Sequence, residues 1–236
     1  MLKVKLNGIK LNSNGAERLL LKECFFDIQP GKIYILTGAN GAGKTTLALT
    51  LTGLIQSSCT ASGAVFFNGT DILNCNAGEL QAIRKKSIKY IFQDPVSAFD
   101  PLKKMEYYFN LTGAADFEAG ELADYFLLPP LSEIKKLRPY QLSVGMAQRI
   151  AVILALLYHP SLIIMDEPNS ALDLTSSNLL ALKLKELKLK GTSSLIITQD
   201  SLFASKLGDE IAVIEDNRIS PFIPAAQFFG ERGNRQ

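Results

Sequence analysis

Apolar and charged side chains alternate through residues 3–11 of the chain, and more loosely through residues 19–28. A period of two places every second side chain on one face, so both segments predict strands. The cluster Asn12-Ser13-Asn14-Gly15 predicts the turn between them, and Pro30-Gly31 a second turn. The apolar run Ile33-Tyr34-Ile35-Leu36 predicts a third strand, followed by a helix over the apolar-periodic residues 47–54. Short apolar runs at 64–67, 88–92, 162–165 and 195–198 predict further strands, and a final pair is expected at 211–214 and 218–220. Helical spacing predicts helices over 79–86, 143–158 and 174–190, the second with Ser143 placed to cap it. Strands that alternate with helices imply right-handed crossovers and a mainly parallel sheet, hence an α/β fold.

The pattern changes between Pro95 and Pro139. Leucines, aromatics and acidic residues recur at helical spacing, with breaks expected at Pro101, Gly113, Gly120 and Pro129-Pro130. This predicts an inserted helical subdomain, extending to about residue 158 when the following helix is included. No pattern stands out after Pro221, and there is no internal repeat. The 236 residues suit one α/β domain with such an insertion.

The most informative chemistry follows the third strand: Gly38-Ala39-Asn40-Gly41-Ala42-Gly43-Lys44-Thr45-Thr46 has the form G-x-x-x-x-G-K-[ST] between a strand and a helix. In that context glycines let successive N–H groups converge on phosphate oxygens at the positive end of a helix. Lys44 would reach the β- and γ-phosphates, and the Thr45 hydroxyl would ligate Mg²⁺. An ordinary glycine-rich turn is the plainer reading. A second site downstream weighs against it: Leu162-Ile163-Ile164-Met165-Asp166-Glu167 sets two carboxylates at the C-terminal end of a strand, where open α/β sheets place ligands. Asp166 would hold Mg²⁺, directly or through water, and Glu167 would polarise the attacking water as general base.

Composition narrows the classes. A net charge of +2 argues against a nucleic-acid binder working through a strongly basic face. No apolar run approaches the roughly 20 residues that span a bilayer, and the N-terminus lacks a signal-peptide core, so a cytosolic chain is expected. Cys24, Cys59 and Cys75 form no C-x-x-C pair, so neither disulfides nor zinc are indicated, and small buried thiols are expected.

Three further stretches narrow the reading: Gln93-Asp94-Pro95, Leu142-Ser143-Val144-Gly145-Met146-Ala147-Gln148-Arg149, and Ser170-Ala171-Leu172-Asp173. With the phosphate loop and Asp166-Glu167, their order and spacing resemble the nucleotide-binding subunit of an ABC transporter, from Leu2 to Ser220. The resemblance implies a P-loop NTPase with a mainly parallel central sheet, an N-terminal antiparallel β subdomain and an inserted helical subdomain. It implies ATP and Mg²⁺ as cofactors, with Gln93 touching Mg²⁺ and sensing a membrane partner. Ser143 and Gly145 belong to a signature segment that would close on ATP held by the phosphate loop of a second subunit. Ser170 to Asp173 would cross that dimer interface. Transmembrane permease subunits and, indirectly, an extracytoplasmic binding protein are the implied partners, with the chain peripheral at the cytoplasmic face of the membrane. The segment from Phe92 to Pro101 resembles the oligopeptide, dipeptide and nickel importer branch. The chain lacks the long cysteine-bearing C-terminal extension of many peptide-importer members, which points toward the shorter nickel or metal-chelate type.

The chain departs from the family pattern in three places. Val144 stands where the signature has its first glycine, Gln199 where a switch histidine follows the strand at 195–198, and no aromatic between Lys3 and Leu21 is available to stack on adenine. Leu11 or the loop from Asn12 to Arg18 is expected to take that role. Glutamine can hydrogen-bond a γ-phosphate but cannot transfer a proton as imidazole does, so Gln199 counts as a catalytic position with altered chemistry. The only histidine, His159, is expected at a helix end with a structural role. The preferred expectation is an ATP-driven importer subunit in a heterodimer, with a homodimer as the other arrangement. The second is a slow or non-hydrolysing regulatory subunit beside an active paralogue. A soluble ABC ATPase acting on DNA or ribosomes is disfavoured by the absence of tandem cassettes, heptads and basic patches.

Overall fold

The computed structural model describes residues 1–13 and 16–233. Its centre is a parallel sheet ordered β9-β3-β8-β7-β6: β9 (Glu210–Glu215), β3 (Ile33–Gly38), β8 (Ser193–Ile197), β7 (Leu162–Asp166) and β6 (Ile88–Ile91). Beyond β9 the sheet continues through β10 (Arg218–Ile219), antiparallel to β9 and parallel to β2 (Ala16–Ile28), and then through the antiparallel strands β2, β1 (Leu2–Ser13), β4 (Cys59–Phe67) and β5 (Thr70–Asp71). The mainly parallel centre and the N-terminal antiparallel strands agree with the sequence reading.

Alternation along β3 divides the interior in two. Ile33 and Ile35 face a core shared with helices α6 (Val144–Leu156) and α7 (Leu174–Leu189). Tyr34 and Leu36 face a second core shared with α1 (Lys44–Leu51) and the antiparallel strands. In β1 the buried set Leu2, Val4 and Leu6 gives way to Ile9, because the register shifts at a bulge between Leu6 and Gly8. A second shift, between Ile9 and Lys10 in the pairing with β2, acts with the first at the site: Leu11 lies opposite Arg18 of β2 and Cys59 of β4, three residues in one row across the sheet. The expected loop from Asn12 to Arg18 is therefore mostly ladder, since Asn12 pairs with Glu17 and Ser13 with Ala16. The turn expected at Asn14-Gly15 lies outside the described residues.

Between β6 and β7 the chain forms α3 (Met105–Thr112), α4 (Asp116–Tyr125) and a short α5 (Leu131–Ile134). Phe109, Phe126 and Ile134 pack them into the first core beside α6. Gly113 ends α3 as a left-handed cap, as expected. Gly120 does not break the helix but sits inside α4, where a Cβ would meet nothing within 4 Å. Ser143 caps α6 by accepting a hydrogen bond from Met146 N at 3.2 Å. Gly145 allows that helix to approach the segment after β7, since a Cβ there would stand 3.1 Å from Ala171 O.

Elements that the sequence pattern does not predict include the two-residue β5, α8 (Ser201–Leu207), β11 (Ile223–Pro224) beside β9, and α9 (Ala225–Gly233). The stretch after Pro221, read as patternless, thus carries two of them. α2 (Ala77–Lys86) has a capping box between Asn76 and Glu79. Cys24 and Cys59 are buried and Cys75 half-buried, all as free thiols, and burial pushes the Cys24 thiol up to about 11. Among the described residues no helix is long and apolar enough to cross a membrane.

Candidate active site

The site forms where β3 and β7 end beside the start of α1. Gly38 has φ 147°, and a Cβ there would lie 2.5 Å from Ile214 O of β9, so a side chain has neither the conformation nor the room. Lys44, the first residue of α1, is 6% exposed and donates from Nζ to Gly38 O and Ala39 O at 2.8 Å each. Burial holds its ammonium below the usual lysine range, while the charges of Glu167 and Asp166 pull the other way.

Thr45 and Asp166, distant in sequence, meet here. Thr45 Oγ1 donates to Asp166 Oδ2 at 2.6 Å, and the Tyr90 hydroxyl of β6 donates to the same oxygen at 3.2 Å. Tyr90 is the contact sequence reasoning missed. Its one cue in the sequence is a phenol inside the short run 88–92; the register that sets it opposite Ile164, and so on the same sheet face as Asp166, emerges only in the fold.

Glu167 directly follows β7 with φ 47°, a left-handed backbone that costs a non-glycine residue about 1–2 kcal/mol. The strand ladder continues into it, through Glu167 N–H to Ile197 O at 2.9 Å. Burial raises its carboxyl above the ordinary range; a bond from Gln199 N (3.4 Å) and the Thr198 side chain oppose this, Asp166 adds to it, and Lys44 opposes it more weakly. The Gln199 amide reaches across to Asn40 Oδ1 of the phosphate loop.

Lys44, Thr45, Asp166, Glu167, Gln199 and Asn40 line a cavity of about 650 Å³ with Gly41, Gly43, Thr46, Gln93 and Ser170. Its other wall carries Leu11, Arg18, Leu20, Gln56 and Cys59, with no aromatic among them. An adjoining cavity of about 620 Å³ takes in Gly38, Ala39 and Ala42 and shares Asn40, Gly41 and Gln199. Ser143 and Gly145 line neither cavity. Val144 between them is 54% exposed at the start of α6. His159 lies just beyond α6, where Nε2 is 3.2 Å from Glu118 Oε1, and it lines neither of the two cavities. Among the described residues no three His, Cys, Asp or Glu side chains converge on a metal position. A threonine hydroxyl beside one carboxylate is nonetheless the oxygen set with which Mg²⁺ is held when phosphates complete its shell.

The family model for the ABC transporter matches residues 21–170. The chain belongs to the ABC transporter family. This ABC ATPase is 29% identical, over 97% of its length and 71% of the relative's, to the oligopeptide transport ATP-binding protein OppD of Escherichia coli (strain K12). It is 32% identical to OppD of Salmonella typhimurium, over 86% of this chain and 64% of that one. The dipeptide transport ATP-binding protein DppD of Bacillus subtilis is 30% identical over 80% of this chain and 60% of its own. The chain thus spans about two thirds of the length of these relatives. Among solved structures, the dimeric bacterial ABC transporter cassette MJ0796 superposes with a TM-score of 0.83 at 25% identity, covering 95% of this chain and 99% of that one. A post-hydrolysis state of MJ0796 bound to ADP and phosphate gives 0.82 at 24% identity, with coverage of 95% and 99%.

Proposed function

We propose that this ABC ATPase is the motor subunit of an importer of peptide-type cargo. The observation that carries this is the convergence of Lys44, Thr45, Asp166 and Glu167 on one cavity beside the residue 38–46 loop. In this reading the loop N–H groups and Lys44 hold the β- and γ-phosphates of ATP, and Lys44 exchanges the carbonyls of Gly38 and Ala39 for phosphate oxygens. Thr45, Asp166 and Gln93 are the groups that would hold Mg²⁺, which when bound neutralises charge on the β- and γ-phosphates. Glu167, with its carboxyl raised by burial, takes the proton of the attacking water. Gln199 faces the γ-phosphate as a hydrogen-bonding amide without proton transfer.

Ser143 and Gly145 line neither of the two cavities beside the residue 38–46 loop, which supports their service to a second subunit's ATP. Closure of such a dimer would push on permease subunits at the cytoplasmic face of the membrane and draw on an extracytoplasmic binding protein. The names of the relatives favour peptides; the nickel or metal-chelate arm of the expectation has no support from them. Glu167→Gln should keep ATP bound while cutting turnover by roughly 10²–10⁴. An unaltered steady-state rate would assign the base elsewhere. A second reading, a slow or regulatory subunit beside an active paralogue, is favoured by Val144 and Gln199 standing at two functional positions.

A further inference from the structure

Asp166 is 2% exposed, and its two side-chain hydrogen bonds both end on Oδ2. Among the described residues Oδ1 accepts none. The two donors differ in what else they must do. Thr45 has one hydroxyl and stands on the phosphate loop's own helix, where the proposed cation role engages its oxygen. The Tyr90 phenol has no such second duty. Its ring is fixed edge-on against Phe92, with centroids 4.6 Å apart, and the strand register holds it on the face of β7 that carries Asp166. Phenylalanine would fill the same apolar space, so packing does not account for the hydroxyl.

We propose that Tyr90 is a positioning residue for the divalent cation: its hydroxyl pins Asp166 Oδ2 and leaves Oδ1 as the oxygen without a competing donor. Two bonds on one oxygen restrict rotation of the carboxylate, so less order has to be imposed when a cation binds. The inference rests on the cation role of Asp166 proposed above.

The test is the affinity for the non-hydrolysable ATP analogue AMP-PNP, measured by calorimetry on the full chain with Mg²⁺ and again in EDTA. The ratio of the two affinities is the cation's contribution. Tyr90→Phe should shrink that ratio about tenfold, within the range for an outer-shell partner of a metal ligand, and leave the EDTA affinity unchanged. Asp166→Asn should shrink it further, and adding Tyr90→Phe to Asp166→Asn should change nothing more. A full wild-type ratio in Tyr90→Phe, with the ratio lost in Asp166→Asn, overturns the Tyr90 inference alone. A full ratio in both variants overturns the cation role of Asp166 and the inference with it. Equal weakening with and without Mg²⁺ in Tyr90→Phe would mark Tyr90 as structural, and also overturns the inference. Tyr90→Met, which also lacks the hydroxyl but adapts its packing, repeats the measurement if the phenylalanine variant melts early.

Discussion

Glu167 is held in a costly backbone conformation and a partly buried setting, and both properties bear on catalysis. Its carboxyl is raised above the ordinary value of 4.5, chiefly by burial. As the proposed base it works only when ionised. Turnover should therefore fall as pH drops through a midpoint above 4.5, and Glu167→Gln should lose that limb. A limb centred at or below 4.5 would contradict the assignment. The same shift has a stability consequence with a definite sign. A raised folded-state value means the group favours folding below its unfolded value, and that contribution is lost as pH rises through the folded value. Ionised Glu167 therefore weighs against the fold at neutral pH, and Glu167→Gln should raise the melting temperature at pH 7. At this scale the phosphate loop, Asp166 and Glu167 were legible, because each sits at a fixed place in a strand-turn-helix pattern. Tyr90 was not, since its role depends on lateral register between β6 and β7, which periodicity within one segment does not encode. The row Arg18, Leu11 and Cys59 was hidden for a related reason: register shifts at Leu6/Gly8 toward β4 and at Ile9/Lys10 toward β2 decide which side chains lie opposite one another.

The helix α6 joins two parts of the fold through one side chain. Arg149 donates to Gly145 O at 3.1 Å on its own helix, and to Phe126 O and Leu127 O at 2.9 and 3.2 Å just past α4. Removing it leaves carbonyls without their charged donor, at about 1–3 kcal/mol each where they stay dry. Arg149→Ala should therefore speed amide hydrogen exchange at the start of α6 and the end of α4 while leaving the β3 amides unchanged. Uniform acceleration across the sheet would show that the tie supports global stability instead. Long periodic elements such as α6 and α7 were predicted within a few residues. The missed helices are short: α8 depends on Asp200 accepting from Leu202 N and Phe203 N, and α9 on packing of Phe228 and Phe229 against the first core. Composition predicts a break at Gly120, but α4 tolerates it because its propensity cost of about 1 kcal/mol is small beside tertiary packing.

For the whole molecule the question is how two altered positions are distributed between sites. In a closed dimer, the site holding this chain's Lys44 would contain Gln199 and face the partner's signature, while the partner's site would face Val144. A homodimer would carry both alterations in both sites. A heterodimer with a regular partner separates them, which makes it the preferred arrangement although symmetric dimers are the general default. Gln199→His should then raise turnover only at the site holding Lys44, and Val144→Gly only at the partner's site. The check is ATPase activity after inactivating each subunit's phosphate-loop lysine in turn. If this chain alone dimerises and turns over as fast as the mixture, the heterodimer proposal fails.

The central claim is that residues 38–46 hold the phosphates of ATP, and calorimetric titration of ATP into the wild-type chain and Lys44→Ala tests it most directly. Loss of a charged donor worth about 1.5–3 kcal/mol predicts binding weakened by about tenfold or more in the variant, with its fold intact by circular dichroism. Equal ATP affinity in the two proteins would contradict the account.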